Sequence, residues 1–138
     1  MKIIEYIRER HAYWFEHVKR HVPTAADTLV MPRCEFEAKR CGIAGKSWRK
    51  RCVYNLSYAV AGLEAYYETI AHEVMHSVAD QLFNGRAGHS SLWHWLMCSI
   101  GHKPNDSKGS HHYGLPTPEA HELAKFILLT LNETEGDS

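Results

Sequence analysis

The segment His72-Glu73-Val74-Met75-His76 places two histidines four residues apart, with a glutamate directly after the first. On a helix, four residues turn through about 400°, so both imidazoles project from the same face, one turn apart. Two imidazoles in this arrangement can reach one zinc ion. Glu73 lies about 100° around the helix axis, where its carboxylate can act as general base on a zinc-activated water. The motif therefore predicts a hydrolytic site with one Zn2+ ion.

A hydrolytic zinc site needs a third protein ligand, and its fourth position is left to water. The spacing HExxHxxGxxH is excluded, because Ala79 and Leu82 occupy the positions that would need glycine and histidine. A glutamate from a later helix, Glu119 or Glu122, could serve as the third ligand. Glu119 is also explained as an acid in the first turn of a helix, where the helix dipole favours it.

Two histidines further along the chain are the other candidates for the third ligand. His89 follows the turn "FNGRAG", at which the chain can reverse and return an imidazole to the first helix. His94 lies within the apolar run "LWHWLM", where a partly buried or surface histidine is an equally good interpretation. On the residues alone, both histidines remain candidates.

The elements that carry these residues follow from hydrophobic periodicity. Apolar residues recur near a 3.6-residue period in four segments, which predicts helices over about 2–21, 63–84, 90–100 and 118–132. Short runs predict strands over about 28–56: "TLVMP", "CEFEA", "GIAGKSW" and "CVYNL". The predicted fold is α+β, with an N-terminal helix, a small antiparallel sheet, the HExxH helix, a second helix that forms the cleft wall, and a C-terminal helix.

Length and composition place limits on this fold and its partners. The chain has 138 residues, and 44% of them are hydrophobic. Because this is enough for one hydrophobic core, we expect one domain over residues 1–138. The 16 basic and 16 acidic residues balance, so the chain as a whole shows no bias toward nucleic acid or membrane. The N-terminus lacks the apolar region of a secretory signal, and the four cysteines form no CxxC pair. We expect a protein of the cytoplasm, or of the host cytoplasm if it is phage-encoded, without a membrane partner.

With these motifs, the chain resembles the SprT-like zinc metallopeptidases of bacteria and phages and the related Spartan proteases of eukaryotes. The resemblance begins with "HEVMH", continues with "GRAGHSS", and includes an aromatic residue, Trp93, on the second predicted helix. It extends back through "GIAGKSW" and "CVYNLS", which are similar to the strand pair that precedes the active-site helix in this family. It covers about residues 35–112.

The resemblance implies a zincin-like minimal metalloprotease domain in which His72, His76 and His89 bind zinc and Glu73 is the catalytic base. Two features depart from the family pattern. Ser90 follows the third histidine, where the family often has glycine, and the four-cysteine zinc ribbon that usually ends bacterial members is missing. The resemblance therefore does not by itself imply that this chain binds DNA.

Two further groups of residues could assist the same site. The first could stabilise an oxyanion or bind substrate, or could simply be an exposed loop: His111, His112 and Tyr113. The second places an aromatic ring among basic residues, which could contact nucleic acid or could be a solvated hairpin tip: Trp48, Arg49, Lys50 and Arg51.

The predicted function is zinc-dependent hydrolysis of peptide bonds in a protein or peptide substrate, with DNA-associated proteins among the candidate substrates. One alternative is a catalytically inactive or structural zinc domain that binds DNA or protein; the intact Glu73 disfavours it. Another is a zinc hydrolase that acts on a small amide. An open groove beside a sheet edge, able to accept an extended peptide as an added strand, would favour the protease.

Overall fold

The computed structural model of the chain describes residues 2–21, 27–82, 91–99 and 115–136. In these residues five helices and three strands follow one another; the α+β class is as predicted, but the short helix over residues 56–59 was not predicted. They are α1 (Lys2–His21), β1 (Arg33–Glu37), β2 (Gly45–Trp48), β3 (Arg51–Asn55), α2 (Leu56–Ala59), α3 (Leu63–Leu82), α4 (Ser91–Ser99) and α5 (Pro118–Gly136). None of the described helices combines the length and apolar character that a membrane span requires.

The three strands form one mixed sheet in the order β1-β3-β2. β2 and β3 pair antiparallel, whereas β1 and β3 pair in parallel with Cys34 opposite Cys52. The predicted antiparallel sheet is therefore right for β2 and β3 and wrong for β1 and β3. The alternation of polar and apolar residues defines the faces of a strand but not its direction. Residues 38–44 carry the chain to the far edge of the sheet, and the β2-β3 hairpin then places β3 between β1 and β2.

Two predicted boundaries also differ from the structure. "TLVMP" forms no strand over residues 28–32. Its last residue, Pro32, has no N–H for a sheet ladder, and its carbonyl accepts a hydrogen bond from Nε2 of buried His11 at 2.7 Å instead. α5 continues past the predicted end near 132 to Gly136. An ion pair of 2.7 Å between Arg8 on α1 and Glu135 helps to hold this last turn.

The hydrophobic core lies where α1 and α3 pack against each other and α3 packs against the sheet. On α3, Ile70, Val74 and Val78 are fully buried. Their spacing of four residues places them on one side of the helix, opposite the side that carries the two histidines of the HExxH motif. Burial of each such side chain contributes about 1.5–3 kcal/mol, so the core fixes the rotation of α3 about its axis.

Asn55, fully buried at the end of β3, joins the sheet to the helices. Its Oδ1 accepts hydrogen bonds from the N–H groups of Lys39 and Ser57, both at 3.1 Å. Its Nδ2 donates to the carbonyls of Lys39 and Ile43, both at 2.9 Å. The same side chain therefore caps α2 and fixes the connection 38–44 that leads into β2.

Replacing Asn55 by alanine should lower the free energy of unfolding by roughly 2–4 kcal/mol, because buried backbone groups lose their partners. Urea denaturation followed by circular dichroism measures this change. Asn132 is exposed near the end of α5, so Asn132→Ala is the matched control and should change stability by less than about 0.5 kcal/mol. Equal stability of Asn55→Ala and the wild type would contradict the assigned role.

Candidate active site

His72 and His76 bring their ring nitrogens together on one face of α3. Their Nε2 atoms lie 3.0 Å apart. In a tetrahedral zinc site with Zn–N bonds of about 2.0–2.1 Å, two ligand nitrogens lie about 3.3 Å apart. The observed spacing is close to this value, and imidazole is a preferred ligand of zinc. The two side chains therefore fit a zinc ion as a chelating pair.

Trp93 on α4 holds the two imidazoles in place. Its side chain is fully buried. Its ring stacks on His76, with ring centres 4.9 Å apart and an angle of 12° between the planes, and meets His72 edge-on at 4.8 Å. Its Nε1 also donates a long hydrogen bond of 3.5 Å to the backbone carbonyl of His72. α4 therefore forms a wall of the site and limits the rotamers of both histidines.

Glu73 is buried against β2. A Cβ added to Gly45 would lie 3.0 Å from Cγ and Oε2 of Glu73, so the carboxylate occupies the space that a side chain at this strand position would take. Gly45 and Ser47 are two residues apart and therefore face the same side of β2. Burial raises the pKa of Glu73 to about 8, while the hydrogen bond from Ser47 acts in the opposite direction.

Sequence reasoning assigned no role to Gly45 and Ser47. The signal available was a glycine inside a predicted strand, which often marks a close approach of backbone and another group. That signal does not say which group approaches. Only the packing of β2 across α3 identifies it as Glu73.

The predicted third ligand, His89, lies outside the described residues, and so do His111, His112 and Tyr113. Among the residues that the structure does describe, no group of three or more His, Cys, Asp and Glu side chains could hold a metal ion. Of the three predicted zinc ligands, the structure thus describes His72 and His76, whose Nε2 atoms lie together.

The other candidates for the third ligand are exposed residues of α4 and α5. Glu119 and Glu122 are both exposed on α5, and Glu122 forms an ion pair of 2.8 Å with Lys125. His94 is exposed on α4, with its Nδ1 3.8 Å from Sγ of Cys98. Neither glutamate nor His94 forms a metal-binding group with the histidines of α3.

The basic cluster around Trp48 forms the tip of the β2-β3 hairpin. Trp48 is 45% exposed, and the guanidinium of Arg51 lies over its ring, 4.3 Å from the centre. Arg51 also pairs with Glu35 at 3.1 Å, and Arg49 donates to a backbone carbonyl of α3 at 3.5 Å. Lys50 is exposed at the turn. The four residues predicted as a nucleic-acid contact are adjacent, but both arginines also take part in contacts within the protein.

The fold and the site together define an α+β domain compatible with a minimal zincin-like domain, in which a helix carries two converging histidines and a buried glutamate beneath a sheet edge. The model of the SprT-like family matches residues 12–113, more than half of the chain. The chain therefore belongs to the SprT-like family, which confirms the resemblance found in the sequence. No curated protein and no solved structure matched the chain.

Metal analysis tests the ligand set. We expect about one zinc ion per chain in the wild type. His72→Ala, His76→Ala and His89→Ala should each weaken zinc binding by more than roughly 100-fold, since even outer-shell substitutions cost 10–100-fold. Elemental analysis after gel filtration and titration with a competing chelator measure occupancy and affinity.

The matched control for the ligand set is His94→Ala, which removes an exposed imidazole from α4 and should retain the wild-type zinc content. Full zinc occupancy in His89→Ala, together with loss of zinc in His94→Ala, would overturn the choice of third ligand.

Proposed function

We propose that this protein is a zinc-dependent peptidase that hydrolyses peptide bonds in a protein or peptide substrate. The observation that carries the proposal is the buried side chain of Glu73 on the same turn of α3 as His72, whose Nε2 converges with that of His76. A zinc site that only stabilised the fold would not need a buried carboxylate next to its ligands. Membership of the SprT-like family also supports a metallopeptidase-like domain.

In this proposal His72, His76 and His89 hold the ion. When bound, zinc supplies the Lewis acidity that activates a water molecule and polarises the carbonyl of the scissile bond. Glu73 accepts a proton from the attacking water and passes it to the leaving amine nitrogen. A nearby cation lowers the pKa of a buried carboxyl, so Glu73 can be ionised at neutral pH and still be a strong enough base.

The position of β2 favours an extended peptide as substrate over a small amide. Within the described residues, β2 is an edge strand that pairs only with β3. The face of β2 that contains Gly45 and Ser47 contacts Glu73. A peptide added to the open edge as a further strand would gain backbone hydrogen bonds and pass close to the two histidines. A small amide would use none of these backbone groups.

A second candidate role, contact with nucleic acid, is supported by the exposed ring of Trp48 at the hairpin tip. Because β2 ends at this tip, DNA bound there would lie beside a peptide on the strand edge. Trp48 can stack on a base, and Lys50 can bind a phosphate. This arrangement would favour DNA-associated proteins as substrates. It would equally serve a catalytically inactive relative that only binds DNA or protein.

Glu73→Gln tests the proposed mechanism. The amide keeps the size of the side chain but cannot accept the proton, so peptide hydrolysis should fall by about 10²–10⁴-fold with unchanged zinc content. The rate is measured on a fluorogenic unfolded protein, before and after chelation and zinc addition. An unchanged rate in Glu73→Gln, with the metal retained, would contradict the mechanism.

Gly45→Ala tests whether the sheet edge positions the base. The new Cβ would press on the Glu73 side chain, so we expect at least a tenfold lower rate with unchanged zinc content. Gly42→Ala is the matched control, because a Cβ at Gly42 meets nothing within 4 Å. Equal rates in the two variants would contradict the assigned role of Gly45.

A further inference from the structure

A cavity of about 290 Å³ lies between α2, the first turn of α3 and residues 115–117, which lead into α5. Its lining includes Ala65 and Tyr66 from α3 and Leu115 from the segment before α5. This volume is near the lower end of the range for ligand pockets, about 300–1,000 Å³. The cavity is therefore large enough for one large side chain.

The cavity lies on the same face of α3 as the two histidines of the site. A stripe with spacings of three and four residues joins them: Gly62, Ala65, Thr69, His72 and His76. Gly62 and Ala65 line the cavity. From Ala65, the level of His72 is about 10.5 Å along the axis and the level of His76 about 16 Å. The cavity and the histidine pair therefore lie at two levels along one face of α3.

The walls of the cavity are apolar. None of the described residues that line it is charged. The hydroxyls of Tyr58 and Tyr66 donate to backbone carbonyls of the connection into β2, each at 2.6 Å. Oγ of Ser57 is hydrogen-bonded to Nδ1 of His121 at 2.9 Å. Since these hydroxyls are hydrogen-bonded within the protein, an occupant of the cavity would mainly meet carbon atoms.

The open edge of β2 leads toward this cavity. Tyr66, one of its lining residues, donates to the carbonyl of Ala44, the residue directly before β2. At the other end of the strand, Ser77 and Gln81 on α3 donate to the carbonyl of Arg49. β2 and α3 therefore run in the same direction, and a peptide along the edge of β2 would pass from the histidines toward the cavity.

We propose that this cavity is a specificity pocket that accepts a large apolar side chain of the peptide substrate, three to five residues from the scissile bond. The spacing follows from the separation of about 10–16 Å along α3 and the rise of about 3.3 Å per residue of an extended chain. The pocket rests on the proposed peptidase function. It adds to that function a substrate class: extended segments with one apolar residue at a fixed distance from the cleaved bond.

The test is a cleavage-site profile of the zinc-loaded protein on a proteome-derived peptide library, read by mass spectrometry, with Glu73→Gln as the blank. Leucine, phenylalanine or methionine should be enriched at one position three to five residues from the cleaved bond. In synthetic peptides, replacing that residue by serine should lower kcat/KM by about tenfold or more, the scale of one side chain in an apolar pocket.

Ala65→Phe probes the pocket itself, because Ala65 is an exposed residue of its wall and the larger ring would fill it. The variant should lose the preference, so that the ratio of kcat/KM for the leucine and serine peptides falls toward one, with zinc content and thermal unfolding unchanged. Glu64→Phe is the matched control. It adds the same ring at an exposed neighbouring position of α3 outside the cavity and should keep the ratio.

Two results would overturn the proposal in distinguishable ways. Cleavage by the wild type without a positional preference, or a preference that survives in Ala65→Phe, would refute the pocket and leave the peptidase function standing. Absence of any cleavage above the Glu73→Gln blank in the zinc-loaded wild type would refute the peptidase function and the pocket with it.

Discussion

The close packing of Glu73 against the backbone of β2 at Gly45 is the constraint on which the site depends. On the side of α3 opposite the two histidines, Ile70, Val74 and Val78 are buried in the core. Protein interiors are packed too densely for a buried helix to move away from such a contact at little cost. The edge of the sheet, the carboxylate of Glu73 and the two histidines that flank it in the motif are therefore held at fixed positions relative to each other.

This packing has an energetic consequence for the metal-free protein. Burial raises the pKa of Glu73 to about 8, which means that the folded environment disfavours the carboxylate form. A cation held by His72 and His76 would favour that form and offset the cost of burial. Zinc binding and the stability of this part of the fold are then coupled, since an ion that binds only the folded state stabilises it.

The four longer helices and the histidine pair were predictable because they depend on local spacing, whereas the one-turn helix α2 was not predicted. Hydrophobic periodicity predicted both ends of α1 correctly and the ends of α3 to within two residues. The four-residue spacing of His72 and His76 predicted that both lie on one face of the helix. The parallel pairing of β1 with β3, the contact of Gly45 with Glu73 and the stacking of Trp93 on His76 are long-range. No local pattern encodes which segments meet, so these features needed the structure.

The proposed peptidase mechanism requires a catalytic zinc site with an open position for water. X-ray absorption at the zinc edge of the purified protein tests this requirement most directly. We predict a first shell of nitrogen and oxygen at about 2.0–2.1 Å, with scattering from three imidazoles and one exchangeable oxygen. A shell containing sulfur at about 2.3 Å, or four protein ligands without an exchangeable oxygen, would contradict the account and indicate a structural site.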